Sequence, residues 1–235
     1  MKLKVVSYNI FHCENYWSEK IEFDNFAQTM KSFDADVIAL NEVHGEGVDE
    51  EYQEQAKILG EKIGYNYYFA KACDIDGPNP FGNAVLTRLP IKKIENVPIP
   101  DPEPKAYDGY YETRCILKMT VDTTPEVTFY ITHFGLNPDE QDNAVKTLLE
   151  NLDSEYSVLM GDLNVKPDNK VLDRIREVLC DTAKEVTPEL YSFPADKPDR
   201  KIDYIFVSKN IKTENFRVPE IILSDHRPVE AVIEI

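Results

Sequence analysis

The sequence predicts an α+β fold in which two packed, mostly antiparallel β-sheets are flanked by helices. The chain has 235 residues, of which 42% are hydrophobic, so it can bury the core of a single domain over residues 1–235. Short apolar segments with strand character outnumber segments with helical periodicity. These strands follow one another too closely for a regular alternation of strand and helix, which favours packed sheets.

Each element follows from a local pattern. Strands are predicted where short apolar or alternating runs lie between turn residues, at 3–9, 36–41, 65–70, 83–88, 92–97, 111–121, 126–133, 156–161, 202–207, 212–218 and 227–234. Helices are predicted where apolar residues recur with helical spacing, at 20–33, 50–63, 138–152 and 168–179. Asn137-Pro138 and Pro167-Asp168 are typical helix starts, and Gly64 follows the second helix. Segments rich in Pro and Asp predict loops at 74–80, 98–104 and 195–201.

The charge of the chain argues against a long nucleic acid as its partner. Acidic residues outnumber basic residues by 43 to 26, and the net charge is -17. Nucleic-acid binders normally gather Lys and Arg, whereas this chain has no basic run longer than a pair such as Lys92-Lys93. The acidic balance repels polyanions but suits a divalent cation and leaves small phosphate esters as candidate substrates.

The chain carries no apolar run that approaches the length of a membrane span. It opens with Met1-Lys2-Leu3-Lys4 and enters the first predicted strand at once, which leaves no room for a signal peptide. The four cysteines are widely spaced and form no CxxC pair; two disulfides are compatible with their number, but reduced thiols fit better. We therefore predict a cytoplasmic protein and leave its oligomeric state open.

Side chains that bind or activate oxygen stand at the ends of the predicted strands. The clearest case is the apolar run 158–160, which leads through a glycine to Asp162 and Asn164. Proteins with α/β architecture tend to place their chemistry at such strand ends. The pattern recurs along the chain, so we predict one site that contains Asn9, Glu42, His133, Asp162, Asn164, Asp203, Asp225 and His226.

Glu42 is the predicted ligand of a divalent cation. A carboxylate at the end of a buried strand is costly unless it is paired or holds a metal. Mg²⁺ prefers one or two carboxylates together with waters and phosphate oxygens. Asn9 and Asp225 are predicted to share the ion or its waters. A salt-bridged surface glutamate is the simpler alternative for Glu42.

Asp162 and Asn164 suit phosphoester hydrolysis. Asp162 would orient or deprotonate a water in line with the leaving group, and Asn164 would donate to a phosphate oxygen. The alternative is an ordinary Gly-Asp turn with Asn164 in an Asx turn.

Asp203 and His226 form a further unit. A carboxylate bonded to one imidazole nitrogen fixes the tautomer and favours the charged ring, which can then bind phosphate. His133 would donate to a phosphate oxygen or to the leaving oxygen. All four histidines of the chain fall at or beyond predicted strand ends.

Three further residues are predicted to contact the substrate, each with a plain alternative. His12 and His44 would line the same rim, although structural or exposed roles fit them equally well. Arg114 would reach a phosphate, unless it is an ordinary arginine on a strand surface.

A series of short motifs occurs in a specific order from Val5 to Ile235. They are Ser-Tyr-Asn-Ile, Asn-Glu-Val, Gly-Asn-Ala-Val-Leu-Thr-Arg, Thr-His-Phe, Gly-Asp-Leu-Asn, Ile-Asp-Tyr-Ile-Phe and Ser-Asp-His-Arg-Pro-Val. Their joint order resembles the endonuclease/exonuclease/phosphatase superfamily. The resemblance implies a four-layer α/β/β/α sandwich and hydrolysis of a P–O bond that depends on Mg²⁺ or Mn²⁺.

By this resemblance, each motif also implies a role. Glu42 matches the metal-binding glutamate of the family and Asn9 the asparagine near it. Asp162 resembles the water-activating aspartate, with Asn164 as its phosphate-binding partner.

The later motifs complete the resemblance. Asp203 and His226 look like the Asp–His pair of the family, preceded by the acid Asp225. His133 matches the second catalytic histidine of the deoxyribonuclease and sphingomyelinase branches, and the AP endonucleases differ there. The sequence does not show four features of particular branches. These are the second metal-related glutamate of the deoxyribonuclease branch, a basic DNA-penetrating loop, a membrane-inserting hairpin and a phosphoinositide-specific insert.

The sequence therefore predicts a metal-dependent phosphoesterase that acts on a small or lipid-derived phosphate ester. An endonuclease or exonuclease that acts on DNA or RNA is the alternative, and a non-catalytic binding module on the same fold is a third hypothesis.

Overall fold

A computed structural model describes residues 1–48, 52–188 and 190–235. The strands are β1 (Lys2–Asn9), β2 (Glu14–Asn15), β3 (Lys20–Ile21), β4 (Val37–His44), β5 (Asn66–Ile75), β6 (Asn79–Thr87), β7 (Ile91–Pro98), β8 (Cys115–Val121), β9 (Val127–Thr132), β10 (Ser157–Asp162), β11 (Leu179–Asp181), β12 (Asp203–Ser208), β13 (Lys212–Arg217) and β14 (Val229–Glu234). The helices are α1 (Phe23–Phe33), α2 (Gln55–Ile63), α3 (Pro138–Asn151) and α4 (Val171–Arg176), and a 3-10 turn covers Phe11–Cys13.

The large strands form two six-stranded sheets. The first sheet has the order β13-β14-β1-β4-β6-β5, and the second has the order β11-β12-β10-β9-β8-β7. Within the described residues, β1 pairs in parallel with β4 and β9 pairs in parallel with β10, while the other neighbours are antiparallel. The prediction of two mostly antiparallel sheets is confirmed.

The two sheets pack face to face and each is covered by a pair of helices. Along β10, the side chains of Val158 and Met160 enter the core between the sheets, whereas Leu159 faces the core beneath α3 and α4. The other sheet packs its outer face against α1 and α2. This alternation follows from the two-residue period of a strand, and it produces the four-layer α/β/β/α sandwich.

The helix ends follow the predicted signals only in part. Asn137 and Glu140 form a capping box at the start of α3, and Gly64 ends α2 in a left-handed conformation. Helix α4 begins at Val171 instead of at the predicted start, because the side chain of Asn169 accepts from the Val171 amide and closes a turn. The predicted helix 50–63 begins at residues 50 and 51, which lie outside the described part of the chain.

Several short elements are not predicted by the sequence pattern. The hairpin of β2 and β3 has two residues in each strand, and β11 occupies the end of the predicted helix 168–179. Strands this short carry too few residues to show a period. None of the helices described is long and apolar enough to cross a membrane.

Candidate active site

Polar side chains from both sheets converge on one cavity at an end of the sandwich. The cavity has a volume of about 480 Å³. Its lining includes most of the predicted residues, namely Glu42, Arg114, His133, Asp162, Asn164, Asp225 and His226. Tyr110, Leu136, Lys166, Phe193, Arg200 and Ile202 complete the lining and were not predicted. Strand ends that are far apart in sequence therefore meet in space.

Gly161 sets the position of Asp162. Its φ is +148°, and a Cβ there would lie 1.8 Å from the carbonyl oxygen of Thr132. Only glycine allows β10 to approach β9 this closely. The next residue then turns into the cavity at the end of β10.

Asn41 connects the two sheets beneath the site. Its Oδ1 accepts from the backbone N of Asp162 at 3.0 Å, and its Nδ2 donates to the Thr132 carbonyl at 3.0 Å and to Asn83 Oδ1 at 2.7 Å. The side chain is fully buried. The Asn-Glu-Val motif contains this residue, but the sequence does not reveal that its contacts reach across the sandwich.

We expect Asn41→Ala to lower the free energy of unfolding by about 2–4 kcal/mol, because it leaves buried donors and acceptors without partners. Urea denaturation measures this loss. The matched control is Asn96→Ala, since Asn96 is exposed and donates to one backbone carbonyl, that of Lys71. An Asn41 variant as stable as the control variant would contradict the bridging role.

Glu42 lies on an irregularity of β4, where the pairing with β6 shifts register between Leu40 and Val43. Its φ is 56°, which is uncommon for a residue other than glycine. Such bulges redirect a side chain, and here the carboxylate lines the cavity. Burial raises the pKa of Glu42, and the nearby charge of Asp225 adds to this shift. A positive charge would therefore be favourable beside it.

Asn9 holds two carboxylates with its amide nitrogen. Nδ2 lies 2.8 Å from Glu42 Oε1 and 3.2 Å from Asp162 Oδ2, while Oδ1 accepts from the Phe11 amide at 3.1 Å. These contacts fix the orientation of the amide. The geometry suits positioning of the carboxylates better than coordination of a cation by the Asn9 oxygen. The metal role of Asn9 thus stays a prediction.

Asp162 is buried at the centre of the cluster. Besides Asn9, its Oδ2 has the Nε2 atoms of His133 and His226 at 3.5 Å each. Burial raises the pKa of Asp162 to about 7 and the charge of Asp203 adds to the shift, whereas the charge of His226 opposes it. A carboxyl group with this pKa can take a proton near neutral pH.

His226 is held by Asp203. Its Nδ1 lies 2.9 Å from Asp203 Oδ2, and the same oxygen accepts from the Ser192 hydroxyl at 2.6 Å. Burial alone would disfavour the charged ring, but Asp203 and Asp162 outweigh it and raise the pKa of His226 to about 10. The ring is thus an imidazolium at neutral pH. Ser192 was not singled out in the sequence, because it lies outside the motifs.

His133 is uncharged, in contrast to His226. Burial and the positive charges of Arg114 and His226 lower its pKa well below the usual value, so the ring is neutral. Arg114 Nη1 lies 3.1 Å from His133 Nδ1 and can only donate, which leaves the hydrogen on Nε2. Arg114 is in turn paired with Glu112.

Two donors then converge on one space. The Nδ2 of Asn164 lies 3.0 Å from His133 Nε2 and also donates to the Phe134 carbonyl. Asn164 adopts a φ of 52°, which asparagine tolerates better than most residues. An anionic oxygen in the cavity within reach of both Nδ2 and Nε2 would accept from both groups. Lys166 and Arg200 add positive charge to the lining of the cavity.

His12 and His44 lie in a neighbouring cavity instead of the one that contains Asp162. Their rings are 5.2 Å apart. Burial lowers the pKa of His44 to about 4. The two cavities adjoin each other, because Glu42 and Tyr110 line both. Substrate contacts of His12 and His44 stay predictions, and they would be made in the neighbouring cavity.

Two groupings of residues can be considered for a cation. Ligand atoms of Asp162, Asp203 and His226 lie within 4.8 Å of one another. In this group the imidazolium has no free lone pair, and Asp203 is engaged in holding it. Glu42 and Asp225 fit a cation better, because their carboxylates repel each other and both line the open cavity.

Buried carboxylates and cationic donors surround a small cavity at one end of the four-layer sandwich. This combination of fold and site is that of a class of enzymes, the hydrolases of phosphoester bonds. The model of the endonuclease/exonuclease/phosphatase family matches residues 6–226. The chain belongs to this family. No curated protein sequence matches the chain significantly.

Solved structures share the fold. An endonuclease/exonuclease/phosphatase from Beutenbergia cavernae is 22% identical, with a TM-score of 0.82 over 100% of this chain and 72% of that one. A mannosyl-6-phosphatase from Bacteroides thetaiotaomicron is 18% identical, with a TM-score of 0.78 over 99% of this chain and 100% of that one. ANGEL2, a 2′,3′-cyclic phosphatase, is 17% identical, with a TM-score of 0.74 over 99% of this chain and 95% of that one.

Proposed function

We propose that the protein is a divalent-metal-dependent phosphoesterase that hydrolyses a small or lipid-derived phosphate ester. The observation that carries this proposal is the placement of Asp162. Its carboxylate lies in one cavity with Glu42 and with the cationic side chains of His226, Lys166 and Arg200, and the His226 ring is 3.5 Å away. That arrangement matches the needs of phosphoryl transfer, namely a base for water, donors for the phosphate oxygens and a cation site.

The residues have the following proposed roles. Asp162 takes a proton from the attacking water. Asn164, His133 and His226 donate to phosphate oxygens, and Asp203 keeps His226 charged and oriented. Arg114 maintains the His133 tautomer that carries its hydrogen on Nε2. Preorganised donors of this kind stabilise the charge that develops in the transition state.

The proposed cofactor is Mg²⁺ or Mn²⁺. Glu42 and Asp225 would hold it, with Asn9 positioning the Glu42 carboxylate. When bound, such an ion neutralises phosphate charge and polarises the P–O bond. All-oxygen ligands suit these two ions better than softer metals.

A small substrate is supported by charge and by the relatives. The net charge of -17 disfavours long polyanions, which keeps DNA or RNA cleavage as the alternative function. The mannosyl-6-phosphatase and the 2′,3′-cyclic phosphatase are consistent with a small phosphate ester. We also propose that residues 1–235 form a single domain. We propose a cytoplasmic location as well, because the spacing of the cysteines favours reduced thiols.

Metal removal tests the proposed chemistry. We expect hydrolysis of bis-p-nitrophenyl phosphate or p-nitrophenyl phosphate to stop after EDTA treatment and to return with Mg²⁺ or Mn²⁺. Glu42→Gln should raise the metal concentration needed for half-maximal activity at least tenfold, because it removes a charged ligand. Activity that survives exhaustive EDTA treatment would overturn the metal-dependent mechanism.

A salt titration separates the two substrate classes. Binding of single- and double-stranded oligonucleotides weakens steeply with salt when many phosphates are contacted. We expect weak binding without a steep slope. Tight, strongly salt-dependent binding with cleavage would favour the nuclease alternative.

A further inference from the structure

A second cavity adjoins the proposed phosphate site. It has a volume of about 660 Å³, within the usual range for small-molecule sites. Glu42 and Tyr110 line both cavities, so a substrate bound at its phosphate end can extend into the second one. Asp162 lines only the first cavity. The second cavity is therefore placed to hold the alcohol portion of a phosphate ester.

One wall of this cavity is a turn in a rare backbone conformation. Phe11, His12 and Cys13 have φ values of 43°, 43° and 63°, all in the left-handed region. Three successive residues other than glycine in this region are costly, and such strain tends to persist at functional sites. The turn presents the His12 ring to the cavity.

Buried hydrogen bonds keep this turn in place. Gln55 is fully buried, and its Nε2 donates to the His12 carbonyl at 2.6 Å, while its Oε1 accepts from the His44 amide at 3.0 Å. The side chain of Asn9 accepts from the Phe11 amide. The His12 and His44 sides of the cavity are thus preorganised by a single glutamine.

The remaining lining combines rings with carboxylates. The rings of His12, His44 and Phe81 pack in sequence, with centroid distances of 5.2 Å and 5.4 Å. Carboxylates are supplied by Glu14, Glu42, Asp74, Asp76 and Glu112, and no lysine or arginine is among the described residues that line this cavity. Rings that cover apolar faces and carboxylates that accept from hydroxyl groups are the chemistry that recognises a polyol.

The carboxylates disfavour an anionic group on the leaving group. Asp74 is already paired with Lys71 at 2.7 Å, and Glu112 is paired with Arg114. The protein thus balances the charge of these two, whereas Glu14, Glu42 and Asp76 have no salt bridge to a lysine or arginine among the described residues. Carboxylate lone pairs that are left over can accept hydrogen bonds from hydroxyl groups. An anionic group would meet the unbalanced carboxylates, so a second phosphate on the leaving group is disfavoured.

We propose that this cavity is the leaving-group subsite and that the substrates are phosphate monoesters of sugars or similar polyols. This inference rests on the proposed phosphoesterase function and specifies its substrate class. The released alcohol would leave through the second cavity, after water has replaced the alcohol oxygen on phosphorus and a proton has reached that oxygen.

The test compares alkyl phosphates whose leaving groups have similar reactivity. We would measure kcat/KM for glucose 6-phosphate, mannose 6-phosphate, phosphocholine, adenosine 5′-monophosphate and a hexose 1,6-bisphosphate, with p-nitrophenyl phosphate as an activated substrate whose leaving group carries no hydroxyl. We expect one of the hexose 6-phosphates to exceed the charged and nucleoside leaving groups by at least tenfold.

A matched pair of variants locates the effect. Asp76 lines the cavity, is exposed and has a φ of 48°; Asp34 lies at the end of α1 and has the same φ. Asparagine tolerates this conformation. We expect Asp76→Asn to raise KM for the preferred hexose phosphate roughly tenfold, the loss of one charged hydrogen bond, and Asp34→Asn to leave it unchanged. Asp34→Asn should also hydrolyse p-nitrophenyl phosphate normally.

The outcomes separate the two proposals. Hydrolysis of p-nitrophenyl phosphate combined with a preference for phosphocholine or the nucleotide would overturn the polyol subsite and leave the phosphoesterase standing. An Asp76 variant that behaves like the Asp34 variant towards the preferred hexose phosphate would do the same. No metal-dependent hydrolysis of any probe would overturn the phosphoesterase itself.

Discussion

Replacing Asp162 with asparagine is expected to lower kcat by roughly 10²–10⁴-fold, the usual contribution of a general base. The amide keeps the shape of the side chain and can still accept from the Asn164 backbone amide, as Asp162 Oδ1 does at 2.9 Å. It cannot take a proton from water. We therefore expect the loss in kcat with little change in the folded structure.

The pH profile gives the same prediction a second test. Asp162 must be ionised to act, so the rate should fall as pH drops through its pKa, which burial raises to about 7. A cation bound beside it favours the carboxylate, which moves this acidic limb to or below pH 7. Asp162→Asn should lose the limb along with the activity. A variant that keeps both would refute the role as base.

Asp153→Asn is the matched control. Asp153 accepts from Lys118 and from Tyr130, outside the candidate site. The substitution removes the carboxylate from an ion pair in which Asp153 is exposed and Lys118 is buried, and Lys118 keeps its hydrogen bond to the Asn151 carbonyl. Normal kcat in this control, beside a large loss in Asp162→Asn, assigns the effect to the position of the carboxylate and not to net charge.

Sequence alone predicted the fold class and the assembly of the main polar residues. Each of the two residues has a local signal: Asp162 ends an apolar run, and His226 lies in a short motif. The antiparallel pairing of β10 with β12 then places Asp162, at the end of one strand, opposite Asp203, at the start of the other.

Contacts that cross the sandwich could not be predicted in the same way. Asn41 reaches Asp162 over 121 positions of sequence, and Ser192 reaches Asp203 from a loop. Each of these residues is an ordinary polar residue in its local context. Their importance depends on burial and on distant partners, neither of which leaves a periodic signal.

Arg114 shows a third limit. The sequence suggested a direct phosphate contact or a surface position, whereas the structure places its guanidinium on His133 Nδ1. The tautomer of a histidine depends on which donor lies next to which ring nitrogen. This geometry is set on the scale of an angstrom, and the spacing of motifs does not encode it.

Replacing His226 with alanine should remove most activity and also destabilise the protein. Asp203 would be left as a buried carboxylate with Ser192 as its one remaining hydrogen-bond partner among the described residues. Removing one partner of a buried ion pair typically costs about 3–5 kcal/mol. Urea denaturation at neutral pH measures this loss, and phosphoesterase assays measure kcat on the same samples.

The loss of stability should depend on pH with a defined sign. The pKa of His226 is raised to about 10, above its ordinary value of 6.5, so the folded protein holds the proton more tightly than the unfolded chain. The resulting stability is fully present below pH 6.5 and is lost as pH rises to about 10. The gap between wild type and His226→Ala should therefore narrow across this window.

A double variant separates catalysis from stability. Adding Asp203→Asn to His226→Ala removes the stranded charge, so we expect most of the free energy of unfolding to return. Activity should not return, because the charged donor beside Asp162 Oδ2 is still missing. If the double variant is as unstable as the single one, the buried carboxylate is not the cause. If it regains activity, His226 does not act on the phosphate.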